Sequence, residues 1–384
     1  MLVRKVTSWI IIITLISALA GSASALFLWL LDLSTQYREQ HYNLIWFLPI
    51  AGLVMGLLYQ KYGDRVELGN KLIYNEFKNP QEKIPFRMAP MVFISTLLSH
   101  LVGASVGREG TAVQMSASIA DQFTNLFKLS QRDRKMLLVI GISAGFASVF
   151  GTPLAASIFA IEVFHDRKYE YKFIIHSLLA AYIAHYVCLA WGIHHSTYSI
   201  AIVPALNLMN IFWSVIAGIV FGLIAYLYSQ TFHVFSSISN KIKITALRPF
   251  IAGLVIIIFY YFFDLRKFMG LGLPSISSSF VEQMNSYDFL IKLLLTSFTI
   301  AFGFKGGEVT PLFFIGATFG NVLIWFIPLP MSLLAGMGFA AVFAGATNTP
   351  LACILMGAEL FGLESIFYIA IACVVAFLFS GKKL

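Results

Sequence analysis

Apolar runs recur along the whole length of this 384-residue chain, and several are too short or too interrupted to be simple membrane crossings. They fall near 8–31, 43–59, 88–106, 112–127, 136–164, 173–191, 209–236, 248–263, 289–304, 309–327, 331–346, 350–362 and 365–380. A crossing helix needs about 17 or more residues. The run 309–327 carries Thr310-Pro311 at its start, and 350–362 opens at Pro350. Irregular backbone survives at membrane depth only where protein buries it or where it lines a watery cavity. The pattern therefore predicts broken helices around a binding site. Composition excludes the soluble alternative: 59% of residues are hydrophobic and 11% charged, against about 25% charged in a soluble domain. The chain reads as an all-α polytopic protein of the cell membrane, in contact with lipid.

The net charge of +8 does not point to nucleic acid. Its basic residues sit between apolar runs, at Arg4-Lys5, Lys128 with Arg132, Arg134 and Lys135, Arg167-Lys168, and Lys241-Lys243, as cytoplasmic loops and helix ends do. Cys188, Cys353 and Cys373 lie inside apolar runs without metal spacing, so neither a disulfide nor zinc is expected, and no cofactor is implied. The first run extends to about Leu31, too long for a signal peptide, and reads as a retained helix.

An internal echo divides the chain. Thr152-Pro153-Leu154-Ala155 repeats as Thr349-Pro350-Leu351-Ala352, and Glu162-Val163-Phe164 as Glu359-Leu360-Phe361, both at an offset of 197 residues. Upstream of each copy lies a glycine-rich turn with a glutamate: Gly107-Arg108-Glu109-Gly110-Thr111 and Gly306-Gly307-Glu308-Val309-Thr310. Two similar halves with interrupted helices, here 1–200 and 201–384, are a mark of secondary transporters, whose sites lie at the repeat interface.

In the first turn, Gly107 and Gly110 permit tight backbone ahead of the helix expected from Ala112. Free amide N–H groups and the helix dipole make such an end a place for an anion. Glu109 is either a helix-terminal charge satisfying its own dipole or a carboxylate that competes with a permeant anion and carries a proton; an ionisable residue within a membrane segment favours the second. In the second turn the amides of Glu308 and Val309 and the hydroxyl of Thr310 can face the same cavity, or Thr310 is a plain N-cap. Asn70, in Leu68-Gly69-Asn70, can donate to an anion or cap a helix, and spacing alone favours the cap. Glu162 and Glu359 read as structural, paired at a helix boundary. His100, His165 and His194-His195 read as core or loop histidines.

The order Gly107-Arg108-Glu109-Gly110, Val113-Gln114-Met115, Ala144-Gly145-Phe146-Ala147, Pro153-Leu154-Ala155, Ile161-Glu162, with Gly307 and Pro311 in the second half, resembles the CLC family of anion channels and anion/proton exchangers. The resemblance implies two inverted-topology repeats and a homodimer with one pathway per subunit. It implies Glu109 as the gating glutamate, anion-binding amides at Glu308 and Val309, and a compact form with no cytoplasmic regulatory domain. Four departures resemble the fluoride-exporting subfamily: Asn70 where a serine is usual, Thr111 where the gating motif usually ends in proline, Gly-Glu-Val-Thr-Pro in the second turn, and Val163 where chloride/proton exchangers carry an inner glutamate. The family's tyrosine after the last span has no counterpart before Leu384, since Tyr368 lies inside that span. The expected function is fluoride/proton antiport, with Asn70 and Thr310 as compact donors beside Gly107, Arg108 and Gly110, and Glu308 assisting the proton. The alternative is a passive chloride channel or a chloride/proton exchanger. A membrane-embedded enzyme would need a nucleophile with its base or a metal motif, and neither is evident.

Overall fold

Both copies of Thr-Pro-Leu-Ala are places where a helix stops and another starts. Gly151 and Asn348 take left-handed backbone, at φ 74° and 58°, and end the helices before them. Pro153 and Pro350 then open the next helices at the position where a missing N–H costs nothing. The single apolar run expected over 136–164 is for this reason two helices.

A computed structural model describes residues 2–164 and 171–381. Arg167-Lys168, His165 and the residues after Gly381 lie outside these described residues. The first half contains α1 (Leu2–Gln40), α2 (Leu48–Tyr62), α3 (Asn70–Lys78), α4 (Met88–Leu101), α5 (Glu109–Leu126), α6 (Gln131–Phe150), α7 (Pro153–Glu162) and α8 (Tyr171–Ala190). The second half contains α9 (Leu208–Asn240), α10 (Leu247–Phe262), α11 (Leu273–Ser278), α12 (Asp288–Ala301), α13 (Val309–Val322), α14 (Met331–Thr347), α15 (Pro350–Phe361) and α16 (Ile366–Phe379). Short α3 and α11 are absent from the apolar reading because α3 is polar and α11 is only six residues long and half serine. Among the described residues, four stretches are long and apolar enough to cross a membrane: Thr7–Gln40, Tyr42–Tyr62, Phe173–Ala190 and Leu208–Asn240. Of the other helices, α6 and α14 are buried along almost their whole length.

The duplicated glutamates tie the halves together reciprocally. Glu162, at the end of α7, accepts from the amides of Leu351 and Ala352 at 3.1 and 2.8 Å, in the first turn of α15. Glu359, in α15, accepts from Leu154 and Ala155 in the first turn of α7, both at 2.9 Å. Each carboxylate thereby fills two of the orphan donors at its partner helix's positive end.

At the end of the bundle where α5 meets α6, Arg134 is buried rather than solvated. Its guanidinium grips both oxygens of Asp121 at 2.8 and 2.7 Å, Glu76 at 3.0 Å and the Glu82 carbonyl at 2.8 Å. Asp121 also accepts from the amide of Ile84 at 2.7 Å, so the irregular segment after α3 is pinned to α5 and α6. Replacing the arginine leaves Asp121 with only the Ile84 amide and the Thr124 hydroxyl, while Glu76 keeps Arg65 and two main-chain amides; breaking a buried pair costs about 3–5 kcal/mol. Arg134→Met is therefore expected to lose that much stability in a denaturant or thermal unfolding series of detergent-solubilised protein. Arg134→Lys should recover only part of it, because an ammonium cannot keep the two-pronged contact with Asp121. A loss under about 1 kcal/mol for the methionine variant would mean the cluster holds nothing.

Candidate anion and proton site

The two glycine-rich turns meet face to face in the interior. Gly107 N–H donates to the Gly307 carbonyl at 2.5 Å and Gly307 N–H returns to the Gly107 carbonyl at 2.7 Å, the one isolated antiparallel bridge among the described residues. A Cβ on Gly107 would stand 2.9 Å from Glu109 Oε2 and from the Gly307 carbonyl, and 3.0 Å from Pro311, so no side chain fits there. On Gly110 a Cβ would come within 3.2 Å of Gly307 Cα. The bridge sets the first turns of α5 and α13 against each other.

Glu109 is the first residue of α5, with Arg108 as its N-cap, three residues earlier than the helix start expected at Ala112. Its carboxylate is fully buried. It reaches its own helix end, where Oε2 accepts from the Arg108 amide at 3.1 Å. It also spans to α13, where Oε2 accepts from the Thr310 amide at 3.2 Å and Oε1 from the Thr310 hydroxyl. Glu109 thus meets the amide end of its own helix and the first turn of the opposite one at once. Arg108 Nε lies 3.5 Å from Oε1 and adds a positive charge at its edge.

Thr310 is not the N-cap. Glu308 holds that position, and Thr310 in the first turn gives its hydroxyl to Glu109. The amide that holds the carboxylate belongs to Thr310, one residue beyond the pair at Glu308 and Val309 that the resemblance implied. Asn70 is not a cap either: Gly69, at φ 56°, is the N-cap of α3 and Asn70 is the first helical residue. Its side chain instead lines a cavity of about 100 Å³ with Glu109, Gly110 and Val309, floored by Tyr74, Phe146, Phe159 and Phe164. Val163 lines the same cavity, so the chamber holds an aliphatic side chain where a second carboxylate was looked for. Arg108, Thr310, Tyr198, Phe150 and Phe313 surround a further chamber of about 20 Å³. Glu109 lines the first of these chambers, and two of the residues that meet its carboxylate, Arg108 and Thr310, line the second.

Glu308 comes to the same junction, but its carboxylate turns away and accepts from the Tyr228 hydroxyl at 2.9 Å. Tyr228, buried on α9, belongs to no sequence motif, and only its position within a long apolar helix would have drawn attention to it. The aromatic floor was likewise not foreseen as a site. Tyr368 donates to the carbonyls of Pro204 and Ala205 at 3.0 and 3.1 Å, far from Glu109 in its bonding. His100 is buried, and His195 bonds the Ser148 carbonyl at 2.8 Å, as core and loop histidines. The three cysteines are free and buried.

Broken helices whose N-termini converge on a buried carboxylate define a membrane ion-transport protein. A family model described as voltage gated chloride channel matches residues 51–381, and the chain belongs to that family, the CLC channels and transporters. It is 48% identical to a chloride/fluoride channel protein of Pseudomonas syringae pv. tomato, over 99% of this chain and 86% of that one. The crystal structure of a CLC-type fluoride/proton antiporter matches with a TM-score of 0.95 at 35% identity, covering 98% of this chain and 96% of the other. A slow cyanobacterial Cl−/H+ antiporter shares the fold, with a TM-score of 0.83 at 20% identity over 97% and 94% of the two chains.

The bridge makes a direct test of this geometry. Gly107→Ala inserts a methyl group into the contact with Gly307 and Glu109, and overpacking of this kind costs about 1–3 kcal/mol. The variant is expected to melt several degrees lower and to lose ion flux in proteoliposomes by a larger factor than its folded fraction accounts for. Wild-type flux in Gly107→Ala would show that the two turns need not touch.

Proposed function

We propose that this protein is a fluoride/proton antiporter that exports fluoride from the cytoplasm using the inward proton gradient, with Glu109 as both gate and proton carrier. The observation that carries the reading is the seat of Glu109 on the amide and hydroxyl of Thr310. Those donors sit at the start of α13, and an anion can use them only when the carboxylate leaves. A proton from outside neutralises the carboxylate, which then surrenders its charge-assisted bonds and swings away. Fluoride takes the vacated donors. When Glu109 later releases the proton to the inside, its returning negative charge expels fluoride in the other direction, so one proton inward is linked to fluoride outward.

Fluoride holds its water tightly, and a site that takes it must replace that water with short, strong donors. Thr310 offers two, and Asn70 offers an amide at the inner chamber beside Glu109. The valine at 163 supports a scheme in which Glu109 moves the proton without an inner carboxylate, with Glu308 next to the same turn as the second acidic group. The homologue at 48% identity is named for both chloride and fluoride, and the structural neighbour at 35% identity is a fluoride/proton antiporter. Homodimeric assembly with one pathway per subunit goes with this reading.

Purified protein in liposomes loaded with fluoride or chloride, with anion efflux and proton uptake recorded together, tests it. Fluoride efflux should draw protons inward while chloride hardly moves. Glu109→Gln should abolish proton movement. Thr310→Val removes a hydrogen bond to a charged group, worth about 1.5–3 kcal/mol, and should slow fluoride exchange about 10- to 100-fold. Fast chloride efflux without protons would replace this reading with a passive chloride channel, and proton uptake surviving in Glu109→Gln would remove that residue from the cycle.

A further inference from the structure

A second, larger cavity of about 470 Å³ opens at the end of α1 opposite the Arg134 cluster. By the distribution of basic residues this is the outer face. Asp32, Arg38, Glu39, Arg266 and Lys267 are in its lining, charged groups that a groove filled by lipid tails would not carry. Its inner wall is the turn before α11, and Leu273, the first residue of α11, is common to this vestibule and to the small chamber that Arg108 and Thr310 line above Glu109. Leu273 is the one residue that lines both.

The turn that carries this leucine is held unusually firmly. Lys292, buried on α12, donates to the carbonyls of Phe268 and Gly270 at 2.9 and 2.7 Å. Gly270 and Gly272 take left-handed backbone, at φ 57° and 74°. Gly270 lies against the Arg38 guanidinium and Gly272 against the ring of Phe314 on α13. Behind Leu273, Ile276 is fully buried, and α11 packs on α13, the helix whose first turn supplies Thr310.

We infer that Leu273 is the outer barrier of the transport pathway: small hard anions and protons pass between the vestibule beside Arg38 and the chamber above Glu109 by displacing this one aliphatic side chain, whose bulk limits turnover without taking part in the coupling. This inference rests on the pathway through Glu109 proposed above. A leucine is suited to the task, since it excludes water when closed and offers an ion nothing to bind as it passes.

The test uses reconstituted Leu273→Cys, with Leu206→Cys in the exposed outer loop as the control and wild type as the blank, since its three cysteines are buried. A membrane-impermeant cationic methanethiosulfonate applied from outside should stop fluoride flux through outward-facing Leu273→Cys and leave both Leu206→Cys and wild type unaffected. Leu273→Ala should raise turnover several-fold and Leu273→Trp lower it about ten-fold, each with the wild-type ratio of protons to fluoride. Unchanged flux after modification, or equal turnover in the alanine and wild-type proteins, overturns the barrier. An altered proton ratio overturns the separation from coupling. Should tryptophan fail to fold, the smaller alanine and cysteine variants still decide. If wild type moves chloride without protons while labelling at Leu273→Cys blocks that flux, the exchange reading falls and the barrier stands.

Discussion

The pair of main-chain hydrogen bonds between Gly107 and Gly307 is the contact on which the rest of the site depends. It joins the two halves of the chain at a place where neither is helical, and it satisfies backbone groups that have no water to turn to. Because both partners are glycines, the turns approach until the first residues of α5 and α13 share one small volume. The donors of one helix are then within reach of a carboxylate on the other. Side chains alone could bring these groups together, but with freedom to drift. Main-chain pairing fixes them to within the tolerance of a hydrogen bond.

Several other buried charges are held by two or more donors or acceptors. Arg134 has two carboxylates and a carbonyl, and Glu162 and Glu359 have two amides each. These groups lie at helix boundaries and staple elements together. Glu109 has equally good partners, yet it lines one small cavity, and two of the residues that meet it line another. A group with empty space beside it can move without dragging a helix with it. In the cycle proposed for this protein, that difference in surroundings, more than any difference in bonding, sets Glu109 apart from the structural carboxylates.

Much of this was legible in the sequence because the features involved are local. The Thr-Pro-Leu-Ala starts, the glycine turns and the placement of Glu109 at a helix end follow from backbone preferences and a missing N–H, which travel with the residues themselves. The echo of Glu162 and Glu359 announced a paired role, though reciprocal capping is a tertiary fact that only the inverted packing reveals. Asn70 and Thr310 were harder. Both are good caps in isolation, and the chain places Gly69 and Glu308 at the cap positions instead, freeing the two polar side chains for the cavity and for Glu109. Tyr228, the aromatic floor and Leu273 carried no local signal, since each matters only for what lies across from it in space.

The bridge also shows that the two glutamates of the duplicated turns are not equivalents. With Gly107 opposite Gly307, Arg108 corresponds to Glu308 and Glu109 to Val309. The similar sequences conceal a shift of one residue, and a shift of one residue at a helix start rotates a side chain by roughly 100°. Glu109 therefore faces the shared gap and accepts from the opposite helix, while Glu308 faces α9 and accepts from Tyr228. A symmetric arrangement would have placed two carboxylates in the same gap, competing for the same donors and repelling one another. The offset leaves a single acid at the junction, with the other held close by on a hydroxyl. Duplication thus supplies the pseudo-symmetric scaffold, and the register shift supplies the asymmetry that leaves Glu109 on the donors of the opposite helix and Glu308 on Tyr228.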